Sequence, residues 1–284
     1  MKIILPIIAS FTILILILVL QFVGAENKKF TLVFCDVGQG DAIYIRAEKY
    51  DILIDGGPAQ NGGGGADESV VDCLNRHMPL YDKSIELMIA THADLDHYGG
   101  FLDVLDSYTV DNFATSPGDS EVKGYVELMN KLSGLGVSIR RITQGDKINV
   151  GEETTLDVLW PPEEFYDIDS DRNNTSVVLL VGYKDFSTVL TGDLDKEYLN
   201  ILLHDLNHIN VFKLSHHGSR TGTNEETFEN FRPDVSIISA GENNRYGHPH
   251  KEVMEILNRE NLNFKSTTEG NIEIVSNGKT FTAR

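Results

Sequence analysis

The chain has 284 residues, 41% of them hydrophobic and 24% charged, which fits a globular protein and excludes wholesale disorder. Its formal net charge of −19 argues against tight, sequence-independent binding to duplex DNA, which rests on Lys and Arg neutralising phosphates. It does not exclude cleavage of a phosphodiester, because a local cationic site that includes bound metal inverts the field the overall charge suggests.

Residues 3–23 are almost wholly apolar, follow Lys2, and lead into Gly24 and Ala25. A charged start, an apolar core and a small-residue exit describe a secretory signal, with Ala25 as the cleavage point. The run is also long enough to span a bilayer, so an uncleaved anchor is the rival reading. Either one makes residues 1–25 a targeting or membrane segment and places residues 26–284 outside the cytoplasmic membrane, secreted or anchored at its outer face. The chain has two cysteines, Cys35 and Cys73. Cys35 reads as a small buried hydrophobe, and export would also permit a Cys35–Cys73 disulfide; the sequence leaves both open.

Short strands are expected at 30–35, 42–47 and 51–55, separated by turn residues such as Gly38 and Gly40. The four glycines at 62–65 read as a flexible loop, since no phosphate-loop pattern surrounds them. A helix is expected at 68–77, started by Asp67 or Ser69, and a buried strand at 85–90 runs into His92. The amphipathic helix at 120–135 places Val122, Tyr125, Val126, Met129 and Leu132 on one face. Strands follow at 137–142, 156–160, 176–182 and 187–191, then a helix at 194–206, strands at 211–214 and 235–239, a helix at 251–260, and closing strands at 271–275 and 280–282. Strands in groups with helices between them predict one layered α/β domain, an αββα sandwich with helices outside two sheets.

The informative stretch is Thr91-His-Ala-Asp-Leu-Asp-His-Tyr-Gly-Gly100. It puts four potential ligands, His92, Asp94, Asp96 and His97, in a tight loop after an apolar strand, where side chains can converge on one ion. Imidazole suits zinc, iron and similar ions, and carboxylates add negative charge. Three later apolar runs also end in ligand residues: one in Asp193, one in His216 and His217, and a loop carries His248 just before a helix. Singly, Asp193 reads equally as a turn residue and His248 or His250 as a helix start; the repeated design of strand then ligand points to a metal centre.

These residues form an HxDxDH motif that resembles the metallo-β-lactamase superfamily, in the variant where the second His of the usual HxHxDH is Asp. The order of segments resembles the hydrolase domain of ComEC-type competence proteins. The matching segments are Phe34-Cys-Asp-Val-Gly-Gln-Gly-Asp41, Leu53-Ile-Asp-Gly-Gly57, the His92–His97 motif, Asn173-Asn-Thr-Ser176, Thr191-Gly-Asp193, His216-His-Gly-Ser219 and Tyr246-Gly-His-Pro249. Together they span most of the chain beyond its amino-terminal segment.

The resemblance implies two divalent metal ions, zinc first and manganese or iron as alternatives. Asp193 would bridge them, His92 and Asp94 would serve one, and Asp96 and His97 the other. His216 and His217 would complete the set, with His248 as a further ligand or an active-site acid. The third-motif His of the family is not evident between His97 and Asp193, which leaves the division among His216, His217 and His248 open. Asp36, Asp41 and Asp55 read as ligand-orienting or structural residues.

The implied chemistry is attack by a hydroxide shared between the metals, with Asp96, His217 and His248 as the catalytic set. Asn174, Thr175, Ser219, Arg220 and Thr221 are candidate substrate contacts, Arg220 offering a forked donor to phosphate. The leading substrate class is a phosphodiester such as extracellular DNA, and phosphocholine-type esters on surface polymers are the alternative. The HxDxDH variant resembles the lactam hydrolases least. From a different class, a non-catalytic binding protein with a structural metal is the competing reading.

Overall fold

A computed structural model describes residues 11, 13–15, 30–59, 68–118, 120–165, 171–206, 208–229 and 231–284. The expected signal or anchor falls almost wholly outside the described residues, as do the glycine run and the alternative helix start Asp67. Among the described residues no helix is long and apolar enough to cross a membrane.

Two sheets face each other. The first has the order β15-β14-β1-β2-β3-β4-β5-β6: β1 Phe30–Phe34, β2 Ala42–Ala47, β3 Tyr50–Gly56, β4 Ser84–Ala90, β5 Thr109–Thr115, β6 Ser138–Arg141, β14 Ile272–Ser276 and β15 Phe281–Ala283. The second has the order β13-β12-β11-β10-β9-β8-β7: β7 Lys147–Val150, β8 Thr154–Trp160, β9 Val178–Tyr183, β10 Phe186–Leu190, β11 Val211–Lys213, β12 Val235–Ile238 and β13 Phe264–Ser266.

The period-2 geometry of strands explains the layers. In β1, Phe30, Leu32 and Phe34 enter the core between the sheets, while Val33 turns to the helical side. In β3, Ile52 and Ile54 face inward and Leu53 outward. Strands apolar on both faces must be covered on both, and helices do this. Helices α1 (Val70–His77), α3 (Phe101–Ser107) and α4 (Lys123–Gly134) cover the first sheet, with Leu74, Phe101, Val104 and Leu128 against Leu53, Met88 and Phe113. Helices α5 (Lys196–His204) and α6 (Lys251–Arg259) cover the second, with Leu199, Leu203, Val253 and Leu257 against Val189, Phe212 and Ile238. The αββα sandwich read from the sequence is the architecture observed.

Local details differ from expectation for physical reasons. Ser69 caps α1: its hydroxyl accepts from the Asp72 amide, and the Asp72 carboxylate accepts from the Ser69 amide at 3.0 Å. Helix α4 buries Tyr125, Leu128 and Leu132, whereas Val126, expected on the buried face, is exposed. Strands β5, β7 and β13 were not expected. The first half of β5 is polar and largely exposed, and β7 and β13 are short edge strands, so none carries a strong apolar signal. Cys35 and Cys73 form a disulfide that ties the end of β1 to α1.

The topology places the site. Strands β3 to β6 run parallel, as do β10 to β13. Their carboxyl ends therefore gather at the same rims of the two sheets, where open α/β sheets place their ligands.

Candidate metal centre

Five strand ends deliver the polar side chains. Strand β3 carries Asp55 next to its last residue, and β4 runs through Ala90 into His92. Strand β10 leads to Asp193, β11 to His216 and His217, and β12 to Ser239. The four-residue helix α2 (Leu95–Tyr98) begins right after Asp94 and carries Asp96 and His97. Gly40 lets the first loop pack against it: a Cβ there would collide with the Asp96 carbonyl oxygen, which accepts from the Asp41 amide at 3.1 Å. His216 and His217 both have left-handed backbones, with φ of 51° and 58°. Such residues are uncommon outside glycine and cluster at functional sites. Here the turn swings both imidazoles toward Asp193.

The distances define one cluster. The Asp193 Oδ2 atom lies 3.2 Å from His97 Nε2, 3.2 Å from His217 Nε2 and 3.7 Å from His216 Nε2. His217 Nε2 is 3.5 Å from Asp96 Oδ2, and His92 Nε2 is 3.9 Å from Asp94 Oδ2. His92, His97, Asp193 and His217 are buried; Asp94, Asp96 and His216 are partly exposed, so the cluster opens to solvent on one side.

Hydrogen bonding on the far edge of each ring fixes which nitrogen faces inward. His97 Nδ1 donates to Asp55 Oδ2 at 2.7 Å. His217 Nδ1 donates to the Ser239 carbonyl at 2.9 Å. His92 Nδ1 lies 3.0 Å from the Thr91 hydroxyl, which itself donates to Asp55 Oδ2 at 2.7 Å. With Nδ1 committed as a donor, each ring turns its Nε2 into the cluster. Those three Nε2 atoms and Asp193 Oδ1 are buried and have no hydrogen-bond partner. Buried polar groups are otherwise almost always paired, so this donor set fits a cation. The sets His92/His97/Asp193 and Asp96/His97/His217 each bring their ligand atoms within 4.8 Å of one another. Further groupings run through Asp41 and Asp55, which face Nδ1 edges of the rings.

The electrostatics follow from the same contacts. Burial works against charge on His97, but the Asp193 and Asp55 carboxylates outweigh it and hold its pKa well above the usual value. His217 is raised likewise, against burial, by Asp193 and Asp41. Burial, with the neighbouring His97 charge, pushes His92 down to about 4. Asp193 is held well below the usual carboxylate range, against burial, by His217 and His97. His248 sits beside the cluster, its ring centroid 5.5 Å from that of His216 and 6.0 Å from that of His217. Its Nδ1 is 3.4 Å from Gln39 Nε2. Burial and the neighbouring His217 and His216 push its pKa down to about 3.

The structure also places the expected substrate contacts. Ser219 and Thr221 bond each other at 3.0 Å, and the Thr221 hydroxyl is 3.1 Å from His216 Nδ1. Arg220 is exposed, 3.7 Å from Glu252. Asn174 is buried: its Oδ1 accepts from the Asp195 amide and its carbonyl from Trp160 Nε1. The Thr175 hydroxyl donates to the Arg172 carbonyl at 2.7 Å. The Asp36 amide donates to Asn271 Oδ1 at 2.6 Å.

Two residues that the sequence did not single out adjoin the cluster. Lys213 is fully buried, ion-paired with Asp41, donating to the Gly192 carbonyl at 3.0 Å and 3.8 Å from Asp193 Oδ1. A lone lysine in an apolar strand was the available signal, since unpaired lysines are almost never buried. Arg172 pairs through Nε with Asp94 Oδ1, and its polar loop context carries no signal at all.

Comparison with known proteins shows the family. The family model described as "Metallo-beta-lactamase superfamily" matches residues 35–242. ComE operon protein 3 of Bacillus subtilis (strain 168) is 28% identical over 278 residues, which is 91% of this chain and 34% of that protein. Recombination protein 2 of Haemophilus influenzae is 30% identical over 258 residues, 90% of this chain and 29% of that protein. The chain thus spans about a third of the length of the curated relatives it matches, which are competence proteins of the ComEC type. Among solved structures, a putative metal-dependent hydrolase from Parabacteroides distasonis superposes with a TM-score of 0.51 at 13% identity, covering 84% of this chain and 93% of that one. CmlA, a diiron β-hydroxylase from Streptomyces venezuelae, gives 0.54 at 13% identity, covering 83% and 52%. At these identities the likeness concerns the fold, and the fold implies divalent metal ions without naming them. The chain belongs to the metallo-β-lactamase superfamily.

Proposed function

We propose that the protein is an exported, metal-dependent phosphodiesterase with a dinuclear centre, acting on DNA or a related phosphodiester. The observation that carries this reading is the convergence of three buried, unpartnered imidazole Nε2 atoms on one carboxylate, Asp193, in a cluster open to solvent. A purely structural metal site would be closed on all sides. Similarity to competence proteins, one of them named Recombination protein 2, supports the substrate class. Lys196 and Arg220 adjoin Thr221, whose hydroxyl is 3.1 Å from His216 Nδ1, and bring cationic groups to this side of a strongly acidic chain, each also facing a glutamate: the Lys196 amide donates to the Thr221 carbonyl, and its Nζ to the Arg220 carbonyl.

Asp96, His97, His217 and Asp193 would hold one ion, and His92 and Asp94, sharing Asp193, the other. Bound divalent ions supply a Lewis acid and lower the pKa of bound water toward neutrality. The chain's own groups do the rest. Asp55, Thr91 and Ser239 hold the imidazoles in the ligand tautomer. His248, neutral because burial and its histidine neighbours suppress its charge, offers a hydrogen bond to the phosphoryl or leaving oxygen. A bound cation pushes its pKa in the same downward direction. Ser219 and Arg220 line the approach beside His216.

The disulfide supports a location in an oxidising compartment, since such bonds are rare in the cytosol. The experiment is Asp193→Ala in the full-length chain: hydrolysis of bis(p-nitrophenyl) phosphate and single-stranded DNA is expected to fall to background. Retained turnover would remove the mechanism, and retained DNA binding without turnover in the wild type would favour the binding-protein reading.

A further inference from the structure

The two halves of the centre are built unequally. In one half, Asp96, His97, Asp193 and His217 meet within 3.5 Å contacts, and both rings are locked through Nδ1 by Asp55 and Ser239. In the other half, the nearest carboxylate to His92 Nε2 along the motif is Asp94, at 3.9 Å. Asp94 already has a cation: its Oδ1 accepts from Arg172 Nε. Among the described residues, none of the groups close enough to enclose an ion includes Asp94. Nor, among the described residues, does any such group join His216 or His248 to His92; the Ser176 hydroxyl stands 3.3 Å from His92 Nδ1 and accepts from the Asp193 amide.

Arg172 is suited to let go. Its side chain is 53% exposed, so leaving Asp94 uncovers no core. Its backbone stays fixed, because its carbonyl accepts from both the Thr175 amide and the Thr175 hydroxyl. A guanidinium on a pinned backbone beside a metal centre is also the side chain that best matches a phosphate oxygen pair.

We propose that Arg172 and the second divalent ion compete for Asp94, and that the displaced Arg172 guanidinium then takes a phosphate of the substrate. The first ion is tight and permanent, and the second is weaker and rises in occupancy when a phosphate group draws Arg172 away. Second ion and phosphate therefore bind cooperatively, each favouring the arrangement in which Asp94 is free. The step onto phosphate rests on the phosphodiesterase reading; the competition for Asp94 does not.

The test is a Zn2+ titration of the metal-free, full-length chain in detergent, followed by calorimetry and chelating-dye competition, with and without inorganic phosphate. The wild type is expected to show one tight site and a second at least about tenfold weaker, the scale on which a lost ligand acts. Arg172→Gln should tighten the second site about fivefold and leave the first unchanged, the most that a partly exposed ion pair withholds. Phosphate should tighten the second site in the wild type and not in Arg172→Gln. A second ion seen only in Arg172→Gln would also support the proposal. Two equal sites in the wild type, or a change under twofold in Arg172→Gln, would overturn it. If the titrations behave as expected but bis(p-nitrophenyl) phosphate is not hydrolysed, the phosphodiesterase reading fails and the competition stands.

Discussion

Replacing Asp55 by Asn removes one charge from the centre without changing its shape, and the structure dictates the consequence. Asp55 is fully buried and accepts three hydrogen bonds, each 2.7 Å, from the Thr91 amide, the Thr91 hydroxyl and His97 Nδ1. An asparagine keeps its oxygen for the Thr91 amide but turns an NH2 toward Thr91 and His97. The Thr91 hydroxyl can rotate to accept. His97 can accept only by losing the Nδ1 proton, and a neutral ring then carries its proton on Nε2, the atom turned toward Asp193. The same substitution thus removes a charge-assisted bond and blocks a candidate ligand. Losing such an orienting partner costs about 10- to 100-fold in metal affinity, which is about 1.4–2.7 kcal/mol. The metal-free protein should also lose about 1.5–3 kcal/mol of stability, the worth of a hydrogen bond to a charged group. Chelator competition on the full-length chain measures the first quantity and urea unfolding the second, with circular dichroism confirming the fold. A metal affinity within threefold of wild type in a folded Asp55→Asn protein would refute the assignment of His97 as an Nε2 ligand held by Asp55.

Other outcomes follow from the same contacts. Cys73→Ser opens a crosslink between residues 38 apart, and loop entropy sets the cost at about 4 kcal/mol; urea unfolding should show it, and a change below about 1 kcal/mol would contradict a formed disulfide. His97 and His217 have folded pKa values raised above the ordinary 6.5, so their contribution to the metal-free fold is complete below that pH. It is lost as pH rises through the folded values, and the melting temperature of the metal-free protein should fall on the alkaline side. A flat profile would contradict it. For the same reason metal binding at neutral pH should release protons, read from the dependence of binding enthalpy on buffer ionisation enthalpy; no release would mean that these rings are not displaced from their protons.

Much of this was legible because two signals are local. Period-2 apolar runs marked the strands of both sheets, and the HxDxDH loop lies within one short segment. The strands missed were those where tertiary position outweighs composition. Strand β5 is paired on both sides by β4 and β6 although its first half reads Thr-Val-Asp-Asn, because the sheet supplies the partners that its sequence does not advertise. On α4 the expected face holds for Tyr125 and Leu132, but Leu128 is buried and Val126 exposed, an edge of the stripe that helical spacing alone does not fix. In the site, candidate ligands at the ends of strands could be read because each follows an apolar run. Asp41 and Asp55 could be read as candidate supports, but the cations Lys213 and Arg172 could not, since the Asp41–Lys213 pair and the Asp94–Arg172 pair join segments far apart in the chain. Ser239 contributes only a backbone carbonyl, which no side-chain pattern reveals.

The most direct test of the central claim is metal content measured together with phosphodiester hydrolysis on the full-length chain. Elemental analysis after loading with saturating zinc would be paired with bis(p-nitrophenyl) phosphate and single-stranded DNA, each with and without chelator. The account predicts two ions per chain and hydrolysis that stops on chelation and returns with metal. A folded protein that binds no ion under metal-replete conditions would contradict it.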